Sequence, residues 1–478
     1  MKRKQVLEVL DKIDESFITE AEKAPKKIKK RPYWIGAVAA VLAVVICISS
    51  FFNTPVITAN AVALPGDARI MEYPHYDDYE DRESYMADRA VWENESENRR
   101  TTRKNAAVSL LPFFTKSSAE FLISPNNENA LWSPINAYIG LSMLAEITDG
   151  DSRKEILDLF GVSDIETLRS QVSAVWESVY EDDRNEISTL ANSLWLEDGL
   201  EYNQDAMNNL AYHYYASVYQ TDLGSNSANR SIGGWLDKNT GGMLKDSTDK
   251  IDLSPDTVLA LYSTLFFQAK WSDEFNSKNN TNDIFHGADG DTNVTYMNKK
   301  LCQMNYYWHR DFSAVALSLK NGSTMWFILP DEGKTPADVL SGGAYGEMIS
   351  LGDSEDGWEN KKYMKVNLTV PKFDVSSSVN LKDGLGKMGV TKVFDIENSD
   401  FSAITSDTPV YISAVNQSAR VEIDEKGVKA AAYIEIPGAG AAQPPEEITD
   451  FVLDRPFVFM ISKGNLPLFT GVVNNIYG

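Results

Sequence analysis

Residues 421–447 read VEIDEKGVKAAAYIEIPGAGAAQPPEE, and how this stretch is interpreted decides how the whole chain is. A strand-like alternation at Val421 and Ile423 runs into small residues carrying only two charges, Lys429 and Glu435, and stops at Pro444 and Pro445. Buried-looking sequence resumes from Phe451 to Ile461. On composition alone the segment reads as a flexible surface loop or linker.

The whole chain, 478 residues with 43% apolar and 24% charged content, suffices for one large domain or two to three ordinary ones. The net charge of −24 is uneven: residues 1–52 carry ten Lys/Arg against six Asp/Glu, which leaves −28 on the remainder. Such a surface repels phosphate backbones and anionic lipid, which argues against nucleic-acid binding. It also lacks a basic cluster for a sulfated polysaccharide. Two cysteines, Cys47 and Cys302, cannot build a disulfide framework.

The run YWIGAVAAVLAVVICISSFF, residues 33–52, is uncharged and follows KKIKKRP. This pattern predicts a single-pass anchor with residues 1–32 as a basic cytoplasmic tail and the remainder outside the cell. The alternative is secretion after signal cleavage, for which Ala59-Asn60-Ala61 would suit a peptidase. Residues 53–104, with Pro55, Pro65 and Pro74 and a mixed-charge stretch, read as an extracellular stalk. Domain-like sequence begins at about 105 and runs to 478.

Apolar residues at helical spacing mark helices over 106–122 and 133–144, the second opened by Ser-Pro. Ser152 and Glu155 suit a capping box for a helix ending at Phe160, with Gly161 as its stop. TLANSLWL (189–196) and VLALYSTLFFQAKW (258–271) read as long strands, the second apolar enough to be buried on both faces. Residues 315–319 and 325–329 form a hairpin pattern, and 366–370, 410–412 and 457–461 add strands. Helices come early and strands late, an ordering that argues for an α+β fold.

Catalytic signatures are missing. The four histidines (His75, His213, His286, His309) have no metal-ligand spacing, no GxSxG occurs, and Gly333-Lys334-Thr335 lacks the leading glycine of a phosphate loop. No cofactor or metal is implied.

Five stretches occur in a telling order: LWSPINAYIGLSMLAEITDG (131–150), LYSTLFFQAKW (261–271), VPKFDVSS with LGKMGVTKVFD (370–377 and 385–395), VEIDEKGVKAAA (421–432), and DRPFVFMISKGNLPLFTGVVNNI (454–476). From about 105 to its end the chain resembles a serpin. The resemblance implies three β-sheets, eight or nine helices, an exposed reactive-centre loop, and suicide inhibition of serine proteases by a monomer that contributes no catalytic group. Loop insertion in serpins is a recognised example of strand addition and of switching by stored strain.

An inserting loop must place alternate residues on a buried face. Counting from Val428, the inward set is Val428, Ala430, Ala432, Ile434, Ile436 and Gly438; Lys429, Ala431, Tyr433, Glu435 and Pro437 face outward. Burial of the aliphatic members plus about ten ladder hydrogen bonds is worth on the order of 10–25 kcal/mol. The resemblance makes Glu425, Gly427, Val428, Ala430, Ala431 and Ala432 the hinge. Asn136, Ser263 and Gln417 fall at the polar cluster beneath the opening strands, where serine, asparagine and histidine are commoner; exchanging the first two keeps one amide and one hydroxyl able to bond each other. Trp271 falls where the loop first enters the sheet.

Three residues depart from the hinge pattern: Val428 replaces threonine or serine, Tyr433 follows only three alanines, and Pro437 removes a donor. They keep open a non-inhibitory carrier or storage form. The spacing between hinge and double proline resembles that of inhibitory members and puts the scissile bond at Ala441-Ala442. A small residue there suits an elastase-like or subtilisin-like protease, held as a covalent acyl complex at Ala441. With no Lys or Arg between Lys429 and Arg455, trypsin-like targets are disfavoured. Anchored in this way, the chain resembles a bacterial surface protein guarding its envelope.

Overall fold

The two apolar periods of the sequence separate along the chain: period 3.6 dominates up to residue 243, and period two thereafter. A computed structural model describes residues 57, 59–66, 73–124, 126–183, 186–243, 251–352, 358–406, 409–412, 415–428 and 445–476. The first part holds β1 (Asn60–Ala63), α1 (Arg82–Ser109), α2 (Leu111–Leu122), β2 (Ala130–Trp132), α3 (Pro134–Ile147), α4 (Gly150–Phe160) and α5 (Ile165–Val179). It continues with β3 (Glu181–Asp183), β4 (Glu186–Glu197), α6 (Gln204–His213), β5 (Ala216–Thr221) and α7 (Asn226–Asn239). Then come β6 (Leu259–Lys270), β7 (Thr281–Gly287), β8 (Gly290–Trp308), β9 (Phe312–Ser318), β10 (Ser323–Pro330), α8 (Pro336–Ser341) and α9 (Gly343–Leu351). The chain closes with β11 (Lys361–Pro371), β12 (Phe373–Asn380), α10 (Lys382–Met388), β13 (Asn416–Ile423), β14 (Gly427–Val428), β15 (Ile448–Val452), β16 (Phe457–Lys463) and β17 (Leu466–Val473).

The α+β expectation holds, with ten α-helices among the described residues rather than eight or nine. One sheet runs β1-β5-β4-β6-β14-β13-β12, with β3 on β4; the other runs β15-β11-β8-β9-β10-β16-β17-β2, with β7 on β8. The expected second and third sheets are therefore continuous among the described residues, because β8 is nineteen residues long and pairs with β7, β11 and β9. A bulge marks the junction: the β8–β11 register shifts between Val366 and Leu368, and Leu301 opposite has φ of 57°.

Local expectations fare unevenly. The 315–329 hairpin is β9–β10, paired from Ser318↔Thr324 to Phe312↔Pro330. Gly161 ends α4 in the left-handed region, φ 67°. The capping box does not form: Asp149 caps α4, the Ser152 hydroxyl accepts the Asp400 N–H at 2.9 Å, and Glu155 accepts the Thr391 and Lys392 N–H groups at 2.6 and 2.8 Å. Residues 410–412 are not a strand; Val410 and Ile412 are buried in a loop. β6 buries one face in the main core at Phe267 and Ala269, and the other against α7 at Ala260 and Tyr262.

The stalk reading of 53–104 is corrected. β1 pairs antiparallel with β5, and α1 packs along α5 and reaches β17, so the compact unit spans Pro55–Gly478. The candidate span 33–52 lies outside the described residues. Among the described residues no helix is long and apolar enough to cross a membrane.

Candidate functional site

β13 ends in a tight turn built by Asp424. Its carboxylate accepts the N–H groups of Lys426 (2.7 Å) and Gly427 (3.2 Å), and its own N–H donates to the Gly427 carbonyl (3.1 Å). The chain then doubles back as β14, wedged between two strands of the same sheet. Gly427 and Val428 lie opposite Lys270 and Ala269 of β6, and Val428 lies opposite Ile423 of β13. Glycine is required here: a Cβ at 427 would sit 2.4 Å from the Ala269 carbonyl oxygen and 2.5 Å from the Lys270 Cα. Val428 is 3% exposed, its side chain between those of Ala269 and Ile423 on the core face.

Two further groups seal this end. Trp271, 1% exposed, donates its indole N–H to the Asp424 carbonyl at 2.8 Å and its backbone N–H to the Lys426 carbonyl at 3.0 Å. Glu425 accepts from Lys372 and from Asn280, both at 2.6 Å. Burial alone would raise its carboxyl, but the Lys372 contact and the Asn280 bond outweigh this and hold it below its usual value.

Beyond Val428 the construction changes. Among the described residues no ladder joins β6 directly to β13. Between them runs a cleft lined by Thr264 to Phe267 of β6 and Ser418 to Arg420 of β13, with Asn136 at its base and Thr240 and Met243 also lining it. The cleft holds about 20 Å³ of space, enough for about one water molecule.

At the base, the Asn136 amide donates to the Ser263 carbonyl (3.0 Å), and the Ser263 hydroxyl lies 2.6 Å from the Asn136 Oδ1 and 2.7 Å from the Asn192 Oδ1. One hydroxyl proton serves two amide oxygens, so one acceptor is satisfied at a time. The exchanged Asn136–Ser263 pair therefore forms. Gln417 bonds elsewhere: its amide spans Ser133, accepting the N–H at 2.8 Å and donating to the carbonyl at 3.0 Å.

Asn192, buried in β4 with its amide N–H on the Tyr214 carbonyl at 2.6 Å, joins the cluster without having been foreseen. Its signal was in the sequence: it falls in period-two phase with Leu190 and Leu194, so an amide was bound for the core face. Ala430, Ala431, Ala432, Ala441 and Ala442 lie outside the described residues. The chain re-enters at 445, and β15 runs parallel to β11 with Ile448 opposite Lys365.

A family model described as Serpin (serine protease inhibitor) matches residues 111–476, about three-quarters of the chain. The chain is a serpin. It is 26% identical over 382 residues to an alpha-1-antiproteinase of Rattus norvegicus, covering 78% of this chain and 89% of that protein. Among solved structures it is similar to the thermophilic serpin tengpin in its native state, with TM-score 0.67 and 24% identity over 77% of this chain and 94% of that one. It is similar as well to thyroxine-binding globulin in complex with thyroxine, with TM-score 0.64 and 22% identity over 79% and 100%. These two likenesses concern the serpin fold alone. The family is one of inhibitors of serine proteases, which agrees with the lack of catalytic motifs.

Proposed function

We propose that this serpin is a suicide substrate of elastase-like or subtilisin-like serine proteases, cut at Ala441-Ala442 and then trapping the enzyme by loop insertion between β6 and β13. The observation that carries the reading is β14: its two residues are already the first two of a strand in that slot. Continuing their register sets Ala430 between Phe267 and Val421, Ala432 between Leu265 and Ala419, and Ile434 between Ser263 and Gln417. Val421, Ala419 and Gln417 are buried, so the inward parity of Val428, Ala430, Ala432 and Ile434 matches the strand that would receive them. The cleft residues of β6, Thr264 to Phe267, are the ones opposite 430–433. Pro437 falls level with Ala260, beyond the first residue of β13, where a missing N–H disturbs little of the ladder.

The protease serine attacks the Ala441 carbonyl, Ala442 leaves as the new amine, and the acyl ester at Ala441 is carried along as the loop zips in. The serpin supplies bait and stored free energy. We keep within this reading the N-terminal span 33–52 as a membrane anchor, which places the domain outside the cytoplasm, and a monomeric inhibitor.

The test mixes residues 55–478 with a pancreatic elastase and with a subtilisin, on a denaturing gel with mass spectrometry of the released peptide. A stable adduct with a peptide beginning at Ala442 is expected. Cleavage with neither adduct nor a rise in thermal stability points instead to a non-inhibitory serpin, the reading that Val428 in the hinge keeps in play.

A further inference from the structure

The turn that carries β14 is held from one direction. The carbonyls of its residues 424–426 all accept hydrogen bonds from the connection between β6 and β7: Asp424 from the Trp271 indole (2.8 Å), Lys426 from the Trp271 backbone (3.0 Å) and Glu425 from the Phe275 N–H (2.9 Å). The Asn280 amide adds its bond to the Glu425 carboxylate at 2.6 Å. Residues 424–426 precede the strand that would lengthen, so none of these bonds has to break as residues from 429 onward enter the slot. The turn is a pivot, and the connection is its anchor.

The connection has little packing of its own: Trp271 and Phe275 are buried, but residues 272–274 and 276–279 are exposed. What fixes it is β8. Lys299, opposite Leu368 of β11, has a side chain only 10% exposed. Its ammonium donates to the Asp273 carbonyl, lies 2.7 Å from the Asp273 carboxylate and sits over the Phe275 ring, 4.8 Å from its centre. The preceding residue, Asn298, holds the other end of the connection, its amide donating to the Asn279 carbonyl (2.9 Å) and the Thr281 hydroxyl (3.0 Å). We infer that Lys299 is a positioning residue for loop insertion, acting through Asp273 and Phe275 on the turn at 424–426. Hydrolysis of the acyl ester competes with insertion. If the turn drifts, Gly427 and Val428 leave the slot, the cost of closing the turn must be met again, and hydrolysis wins more often.

This inference rests on the insertion reading, and its test separates the two. Hydrogen exchange followed by mass spectrometry is measured on the full-length chain, on Lys299→Met, which keeps the aliphatic stem without the charge, and on Lys299→Arg, which keeps a cation. The ratio of adduct to cleaved serpin with pancreatic elastase and with subtilisin is measured on the same proteins. Phe275→Leu, which removes the ring and keeps the N–H, serves as the second variant should Lys299→Met fail to fold. In Lys299→Met we expect protection to be lost over 271–281 and 424–428 but not over β16 and β17, and the ratio to fall by roughly threefold or more; Lys299→Arg should restore both. Unchanged protection at 424–428 in a folded variant overturns the inference, as does protection lost there with an unchanged ratio. A uniform loss that includes β16 and β17 overturns it too, because Lys299 would then support the fold as a whole. Localised loss of protection in a protein whose wild type forms no adduct keeps Lys299 as the anchor of the turn and removes the inhibitory reading instead.

Discussion

The two stretches of the slot between β6 and β13 are made of different materials. At the hinge end the joint is backbone and apolar: Gly427 lies against the Ala269 carbonyl, Val428 is buried, and Trp271 closes over the Asp424 turn. In the middle the strands are not laddered together, and a few side-chain hydrogen bonds among Asn136, Ser263 and Asn192 lie below a narrow cleft. A strand end already seated beside a seam without its own ladder would give the proposed insertion a direction, from the hinge downward. Nucleating a strand costs more than extending it, because the first contacts close the turn before ladder bonds offset it. In this chain the closed turn at 424–427 has already met that cost.

The sharpest way to break the comparison is to spoil the face that the seam must accept. Ala432→Glu would bury an unpaired carboxylate between Leu265 and Ala419, at a cost of several kcal/mol. We expect the covalent adduct to disappear, the serpin to be cleaved as a substrate, and the stability rise after cleavage to be lost. Ala431→Glu, one residue away on the outward face, should leave the adduct yield within about twofold, since surface changes of this kind are usually within about 0.5 kcal/mol. Equal behaviour of the two variants would sink the parity argument. Next in size is Gly427→Ala, in which the new methyl meets backbone rather than a movable side chain. Strain of about 1–3 kcal/mol is expected to lift β14 from the sheet and to lower adduct yield roughly tenfold.

Smaller effects separate the two stretches. Asn192→Ala leaves the Tyr214 carbonyl without its donor and frees the Ser263 hydroxyl for Asn136 alone. A loss of about 1–3 kcal/mol in urea unfolding is expected, together with faster annealing of a synthetic peptide of residues 429–438 followed on native gels, because the change loosens the seam and not the hinge. Trp271→Phe removes the bond to the Asp424 carbonyl, worth about 1 kcal/mol, and trims a buried side chain that packs on Phe275 and Phe327. It should lower stability without accelerating annealing. If both variants speed annealing alike, the hinge and the seam are one cooperative unit and the contrast between them dissolves.

How much of this was legible in the sequence follows from range. Short-range patterning gave β4, β6 and the β9–β10 hairpin, because strand burial, on one face or on both, is written in consecutive residues. The Asn136–Ser263 bond was legible as an exchange of amide and hydroxyl. Gln417 went instead to the Ser133 backbone, whose N–H and carbonyl take both ends of one amide; which of two nearby acceptors wins depends on distances that no spacing encodes. Ser152 and Glu155 fit a local capping pattern but serve the backbone of residues 391–400, so a local rule lost to a long-range one. α1 escaped notice because only Ala107 among its 28 residues is buried, which leaves almost no apolar stripe to see. β1 was not legible either: a four-residue strand in a proline-bearing stretch carries too little pattern.

The smallest expected effect tests the polar seal of the hinge. Glu425 sits at 17% side-chain exposure with the Lys372 ammonium 2.6 Å away. Burial raises its carboxyl, yet the Lys372 and Asn280 contacts prevail and its folded value lies below the usual 4.5. A depressed folded value means that the contribution is fully present above 4.5, where both folded and unfolded carboxylates are charged, and is lost as pH falls through the folded value. The Tm difference between wild type and Glu425→Gln should therefore be open at neutral pH and close progressively below pH 4.5. Since the amide oxygen introduced by this substitution would still accept from Asn280, what closes is the ionic part alone. A difference that persists into strong acid would assign the stabilisation to shape and hydrogen bonding, and the hinge end would then be held by the backbone and Trp271 without help from charge.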